Sequence, residues 1–137
     1  MNIYFAGAIR GGRDDAKAYQ KLIVLLQIYG TVLTEHVGDE NLLKEEQYLS
    51  EEEIFERDMQ WLKIADLLIA EVSTPSLGVG YELAIAEKHN IPCLCLFRKQ
   101  QSRTLSAMIS GNCYFQTKTY SESSEFPIII KEFMKQL

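Results

Sequence analysis

The stretch Ala65-Asp66-Leu67-Leu68-Ile69-Ala70-Glu71-Val72, followed two residues later by Pro75-Ser76-Leu77-Gly78-Val79-Gly80-Tyr81-Glu82, decides the fold. Leu67, Leu68, Ile69 and Ala70 run on without polar alternation, the pattern of a strand covered on both faces in a parallel sheet. The second segment breaks the strand with a proline, supplies two glycines and leads into a helix expected over 81–88. Strand, glycine turn and returning helix make one β/α unit.

The same unit repeats outward in both directions. Upstream, an apolar run at 2–6 precedes a helix over 14–27, in which Ala18, Leu22, Leu25 and Leu26 share a face. A β-branched run at 30–34 is a second strand, and 37–48 reads as a polar loop over the sheet edge. Ser50 with Glu53 forms a capping box for a helix to about residue 64, whose apolar face is expected from Ile54, Met59, Trp61 and Leu62. Downstream come a strand at 91–97, a short helical stretch at 104–109, a strand at 114–117 and a helix at 125–135. The class is therefore α/β. Right-handed crossovers give an open five-stranded parallel sheet flanked by helices, a three-layer α/β/α arrangement of flavodoxin or Rossmann type, with ligands at the strand carboxyl ends. Residues 1–137 read as a single domain without repeats or a linker.

Composition narrows the partners. The 137 residues are 47% hydrophobic and 24% charged, as in an ordinary globular protein. Fourteen basic residues against 19 acidic ones give a net charge of -5, and no Lys/Arg cluster is long enough to track a polymeric nucleic acid. Cys93 and Cys95 lie in an apolar run and read as reduced core thiols. The histidines, His36 and His89, are not near a cysteine in sequence, so no metal site is expected. The N-terminus lacks signal-peptide character and no run spans a membrane. A cytoplasmic protein is expected; a nuclear pool stays open for a protein this small, although no basic import signal is visible.

Three segments fall just beyond strand ends: Gly7 to Gly12, Thr34-Glu35-His36, and the turn at 75–82. Gly78 and Gly80 let backbone approach a ligand, and amides at a helix start favour phosphate or carboxylate. Glu82 is expected in the first helical turn, where the macrodipole favours its ionised form. A nucleophilic carboxylate and a plain helix-start Glu both fit this pattern. Arg10 suits a phosphate or a base carbonyl, or is a solvated loop residue. Asp58 on the capped helix faces either solvent or the cleft; beside Glu82 it would complete the carboxylate pair that glycosidic bond cleavage uses. Tyr4 is a core tyrosine unless its hydroxyl meets a carboxylate. His36 reads as a ligand-positioning or structural group.

Taken together, the segments at 4–12, at 31–36, at 75–82 and Leu105-Ser106-Ala107-Met108-Ile109 resemble, in the same order and over nearly the whole chain, the 2'-deoxynucleoside 5'-phosphate N-hydrolases of the nucleoside 2-deoxyribosyltransferase superfamily. The resemblance implies hydrolysis of a deoxynucleoside 5'-monophosphate to free base and 2-deoxyribose 5-phosphate, without metal or organic cofactor. It assigns Glu82 as the nucleophile that forms a deoxyribosyl ester, Asp58 to proton transfer at the base, and Tyr4 to orienting the carboxylate. It places Ser76, Gly78 and Ser106 at the phosphate, with Ser106 arriving from the second subunit of a homodimer, and Ile9 and Arg10 at the base. Gly11, His36, Gly80 and Met108 complete the expected substrate-binding set. Position 8 is Ala where the family commonly has Ser, which removes one hydroxyl expected near the substrate. The loop from Val37 to Ser50, with Glu40, Glu45 and Glu46, is expected to order over the substrate. Two alternatives stand beside the hydrolase: a deoxyribosyltransferase that exchanges bases, and a non-catalytic nucleotide-binding module.

Overall fold

Parallel pairing in the order β2-β1-β3-β4-β5 builds the sheet of this computed structural model, which describes residues 1–9, 15–39, 47–100 and 102–137. The strands are β1 (Asn2–Ala6), β2 (Thr31–Val32), β3 (Leu67–Glu71), β4 (Cys93–Arg98) and β5 (Gln116–Tyr120). Helices α1 (Ala16–Leu26), α2 (Glu51–Ile64), α3 (Leu77–Lys88), α4 (Ala107–Ser110) and α5 (Phe126–Met134) connect or follow them, with short 3-10 turns at Glu35–Gly38 and Ser123–Glu125.

Alternation along each strand divides the core in two. Ile3 and Phe5 of β1, with Leu67 and Ile69 of β3, pack on the side of α1 and α5 against Leu22, Leu26, Ile130 and Phe133. Tyr4 and Ala6, with Leu68 and Ala70, face the other way, against Leu62 of α2 and Val79 and Leu83 of α3. This is the three-layer α/β/α architecture expected from the sequence. The chain order reverses between β1 and β3, so the loops leaving those two strands diverge and open a crevice at their carboxyl ends.

Local chemistry moves several boundaries. β2 covers only Thr31–Val32, shorter than the expected 30–34, because Thr34 turns its side chain into the ladder. Its Oγ1 accepts from the Phe5 amide at 2.8 Å and donates to the Phe5 carbonyl at 2.7 Å, taking the place of a backbone neighbour. Val37 and Gly38, expected in a loop, instead end the first 3-10 turn and are buried against α1. Glu40, Glu45 and Glu46 lie outside the described residues. The capping box is formed as expected: Ser50 Oγ accepts from the Glu53 amide at 3.1 Å, and Glu53 accepts from the Ser50 amide at 2.7 Å.

The apolar face expected of α2 needs correction at Ile54. Leu62 is buried in the core and Met59 and Trp61 pack against it half-buried, as expected, whereas Ile54 turns to the crevice, which Met59 also borders. Cys93 and Cys95 are buried free thiols, pushed up to about 12 chiefly by burial, and Cys113 is exposed. Among the described residues no helix is long and apolar enough to cross a membrane.

Candidate functional site

Helix α3 starts earlier than its sequence pattern implies. Ser76 is the N-cap, its Oγ accepting from the Val79 amide at 3.4 Å, so Leu77 is the first helical residue and Gly78 and Gly80 belong to the opening turn. The Ser76 hydroxyl caps through a lone pair and keeps its proton to donate. A Cβ on Gly78 would meet only Ser76 Oγ, at 3.7 Å, and one on Gly80 would meet nothing within 4 Å. Packing therefore does not require these glycines; what they leave is open approach to the amides that begin the helix.

Glu82 consequently falls in the second turn, and the expectation that the macrodipole keeps it ionised is overturned. Burial pushes its carboxyl up to about 7; the neighbouring charge of Asp58 adds to the rise, and a hydrogen bond from Tyr4 opposes it. That bond runs from Tyr4 Oη to Glu82 Oε1 at 2.7 Å. Tyr4 is held rigidly in β1 at 1% exposure, and its own ionisation is pushed far above the ordinary range, first by burial and then by Glu82 and Asp58. It can act only as a neutral donor.

Glu82 opens into a cavity of about 380 Å³, in the size range of small-molecule sites. Gly7 and Ile9 after β1, Ser76 at the α3 cap, Gly78 and Tyr81 of α3, and Asp58 of α2 share its wall. The α2 contribution comes from Glu51, Ile54, Phe55 and Asp58, spaced i, i+3, i+4, i+7 along one helical stripe, with Met59 beside them. Sequence reasoning missed Phe55 and Tyr81, although this spacing and the position next to Glu82 mark both. Each is 51% exposed, and their rings lie 6.2 Å apart, so two half-exposed aromatic rings stand at the cavity.

Asp58 accepts from Arg57 Nε at 2.9 Å. The Arg57 guanidinium lies 4.9 Å from the Trp61 ring centroid, and Trp61 is in turn 5.4 Å from the His36 ring. His36 thus reaches the site through Trp61 and Arg57, and it is not part of the described cavity wall. Arg10 and Gly11 lie outside the described residues. Ala8 is fully buried, its amide donating to Tyr19 Oη at 3.1 Å. Gly7 is required by packing, since a Cβ there would come within 2.9 Å of the Tyr19 ring.

Ser106 and Met108 do not reach the Glu82 cavity of their own chain. They line a second cavity of about 480 Å³ on the other side of the α3 start, shared with Gly80, Leu83 and Arg103, and Ser106 Oγ accepts from the Met108 amide at 3.3 Å. Among the described residues no group of three or more His, Cys, Asp or Glu is gathered for a metal ion.

Known proteins bear on this geometry. The family model for nucleoside 2-deoxyribosyltransferase matches residues 3–128. The chain belongs to the nucleoside 2-deoxyribosyltransferase family. Among its relatives, the 5-hydroxymethyl-dUMP N-hydrolase of Danio rerio is 48% identical over 141 residues, covering 100% of this chain and 98% of its own. The 5-hydroxymethyl-dUMP N-hydrolase of Homo sapiens is 45% identical over 136 residues, covering 96% of this chain and 78% of its own. A CMP N-glycosidase of Clostridium botulinum superposes with a TM-score of 0.70 over 97% of this chain and 99% of its own, at 17% identity, which shows a shared fold.

Proposed function

We propose that this chain hydrolyses the N-glycosidic bond of 2'-deoxynucleoside 5'-monophosphates, with 5-hydroxymethyl-dUMP the first substrate to test. The observation that carries the reading is the 2.7 Å hydrogen bond from Tyr4 to Glu82 at a cavity that Asp58 also lines. Relatives with that activity in their names, at 45% to 48% identity, support the reaction class.

In this mechanism Glu82, as carboxylate, attacks C1' of the deoxyribose. The C1'–N bond breaks with its electron pair going to the base, which takes up a proton with the help of Asp58. The sugar is left as an ester on Glu82. Water then attacks C1' and gives its proton to Asp58, the ester C1'–O bond breaks, and Glu82 returns as carboxylate; two displacements at one carbon retain the anomeric configuration. Tyr4 donates to Glu82 throughout, holding the attacking oxygen in line and stabilising it as it leaves. Ser76 and the first-turn amides at Gly78 take the 5'-phosphate, since hydroxyl and amide donors at a helix start suit an anion. Ile9, Phe55 and Tyr81 take the base by stacking and apolar contact. Ser106 completes the phosphate site from the partner subunit of a homodimer.

The test is release of 2-deoxyribose 5-phosphate from 5-hydroxymethyl-dUMP and from the four common deoxynucleoside monophosphates, with and without an added acceptor base. Hydrolysis with little base exchange, plus a mass increment on Glu82 in acid-quenched enzyme, supports the proposal. Dominant exchange on unphosphorylated nucleosides would make the chain a transferase, and binding without product would leave a nucleotide-binding module.

A further inference from the structure

A second buried polar assembly lies at the same end of the sheet, and none of the chemistry above uses it. Asp15 directly precedes α1 and is the kind of residue that ordinarily caps a helix, yet its side chain makes no capping bond. At 2% exposure it instead accepts from Thr74 Oγ1 at 2.8 Å and from the Arg98 guanidinium at the end of β4. The preceding residue of the same connection, Ser73, is fixed independently. Its Oγ accepts from the Arg98 amide at 2.7 Å and donates to Glu71, whose carboxylate also accepts from Tyr120 Oη at 2.8 Å.

These bonds converge on residues 73 and 74, three and two positions before Ser76. A segment between a strand end and a helix start is ordinarily where a chain is loosest. Here each of the two residues is buried and held by a side chain from outside the segment. Placing a carboxylate where water is excluded is costly unless it is paired and bonded, so Asp15, Thr74 and Arg98 make a rigid unit. The connection it holds leads into the Ser76 cap and the Gly78 amide, and Gly7 and Ile9, upstream of Asp15, line the same cavity.

We infer that Asp15 is a positioning residue for the reaction: through Thr74 and Arg98 it fixes the approach to Ser76 and so sets where the 5'-phosphate sits. The inference rests on the proposed phosphate role of Ser76 and Gly78. It assigns Thr74 to holding the phosphate wall, not to contact with the reacting atoms. Loss of the clamp should therefore weaken phosphate-dependent binding and leave the Glu82 chemistry in place.

Thr74→Val keeps the shape and removes the donor, so it is the primary variant; Thr74→Ser restores the hydroxyl, and Asp15→Asn weakens the acceptor and its pairing with Arg98. Each is compared with the parent protein for KM and kcat on 5-hydroxymethyl-dUMP, for Kd of 2-deoxyribose 5-phosphate by calorimetry, and for Tm. Misplacement of binding groups by a fraction of an ångström should raise KM and Kd together by about tenfold in Thr74→Val, with kcat within about threefold and Thr74→Ser close to the parent. Unchanged Kd in Thr74→Val, or a loss confined to kcat, overturns the inference, as does failure of Thr74→Ser to restore binding. If the parent turns over no nucleotide, the proposed function fails, and the Kd comparison still decides the clamp; a parent that binds no 2-deoxyribose 5-phosphate overturns it.

Discussion

Tyr4 and Glu82 are 78 residues apart in the chain and 2.7 Å apart between Oη and Oε1. β1 supplies the donor from the sheet and α3 the acceptor from the layer above it, so the bond exists only once both layers have packed. It also sets the protonation of the carboxylate. Burial drives the Glu82 carboxyl up to about 7 against the pull of this bond, so the attacking form and its protonated counterpart are balanced near neutrality.

Tyr4→Phe removes the interaction that lowers the Glu82 pKa and leaves burial and Asp58, which raise it. Activity of the parent should therefore climb with pH through about 7, and in Tyr4→Phe the midpoint of that climb should move to higher pH. A profile of kcat/KM against pH reads both midpoints. Movement to lower pH would mean that Tyr4 is not the group stabilising the carboxylate.

Glu82→Gln should abolish turnover while leaving binding of 2-deoxyribose 5-phosphate largely intact, because the charge is needed when C1' is attacked. The same variant has a stability signature. Glu82 goes from 4.5 to about 7 on folding, so the native state holds the extra proton between those values. That stabilisation is complete below pH 4.5 and is lost as pH rises through about 7. Glu71, raised by burial, works in the same direction. Glu82→Gln should match the parent at low pH and gain about 1–2 kcal/mol at pH 8, discounting the full shift because the residue borders solvent. Denaturant unfolding at several pH values measures the gain, and a loss of stability at pH 8 would contradict it.

Ser50→Ala removes one half of the capping box that starts α2. The expected cost is about 1 kcal/mol, or roughly 3–5 °C in Tm. Because α2 carries Asp58 and Phe55, KM should rise with it, and addition of 2-deoxyribose 5-phosphate should recover part of the lost Tm. An unchanged Tm would show that core packing of the C-terminal half of α2, through Met59, Trp61 and Leu62, holds the helix without its cap.

How far the sequence carried these conclusions depends on whether the signal was local. Leu67 to Ala70 announced a doubly covered strand, and Ser50 with Glu53 announced a helix start, because each pattern lies within a few residues; both are present as read. The start of α3 was misplaced because Gly78 and Gly80 resemble loop residues until Ser76 is seen to cap the helix. The length of β2 was overstated because nothing local reveals that the Thr34 side chain replaces a backbone pair. Among site residues, the pairing of Tyr4 with Glu82 and the presence of Asp58 on the same cavity came through the family resemblance; spacing alone left each open. The Asp15 clamp was invisible, since Asp15 precedes α1, Thr74 lies in the connection after β3 and Arg98 ends β4, and none forms a motif with its neighbours.

Phe55 and Tyr81 give the last prediction. Both rings line the cavity, 6.2 Å apart, and each leaves about half its surface to solvent at 51% exposure, which is unfavourable for apolar area unless a ligand covers it. A base stacked on an aromatic ring gains about 1–3 kcal/mol. Phe55→Ala should therefore raise KM for 5-hydroxymethyl-dUMP by about tenfold, while kcat and the affinity for 2-deoxyribose 5-phosphate, which has no base, stay near the parent values. The contrast between the two ligands matters, because general damage to α2 would weaken both through Asp58 and the cavity wall. Equal weakening of nucleotide and sugar phosphate would remove Phe55 from base recognition, and Phe55→Leu, which keeps apolar area but no ring, separates stacking from simple burial: only stacking predicts that it behaves like Phe55→Ala.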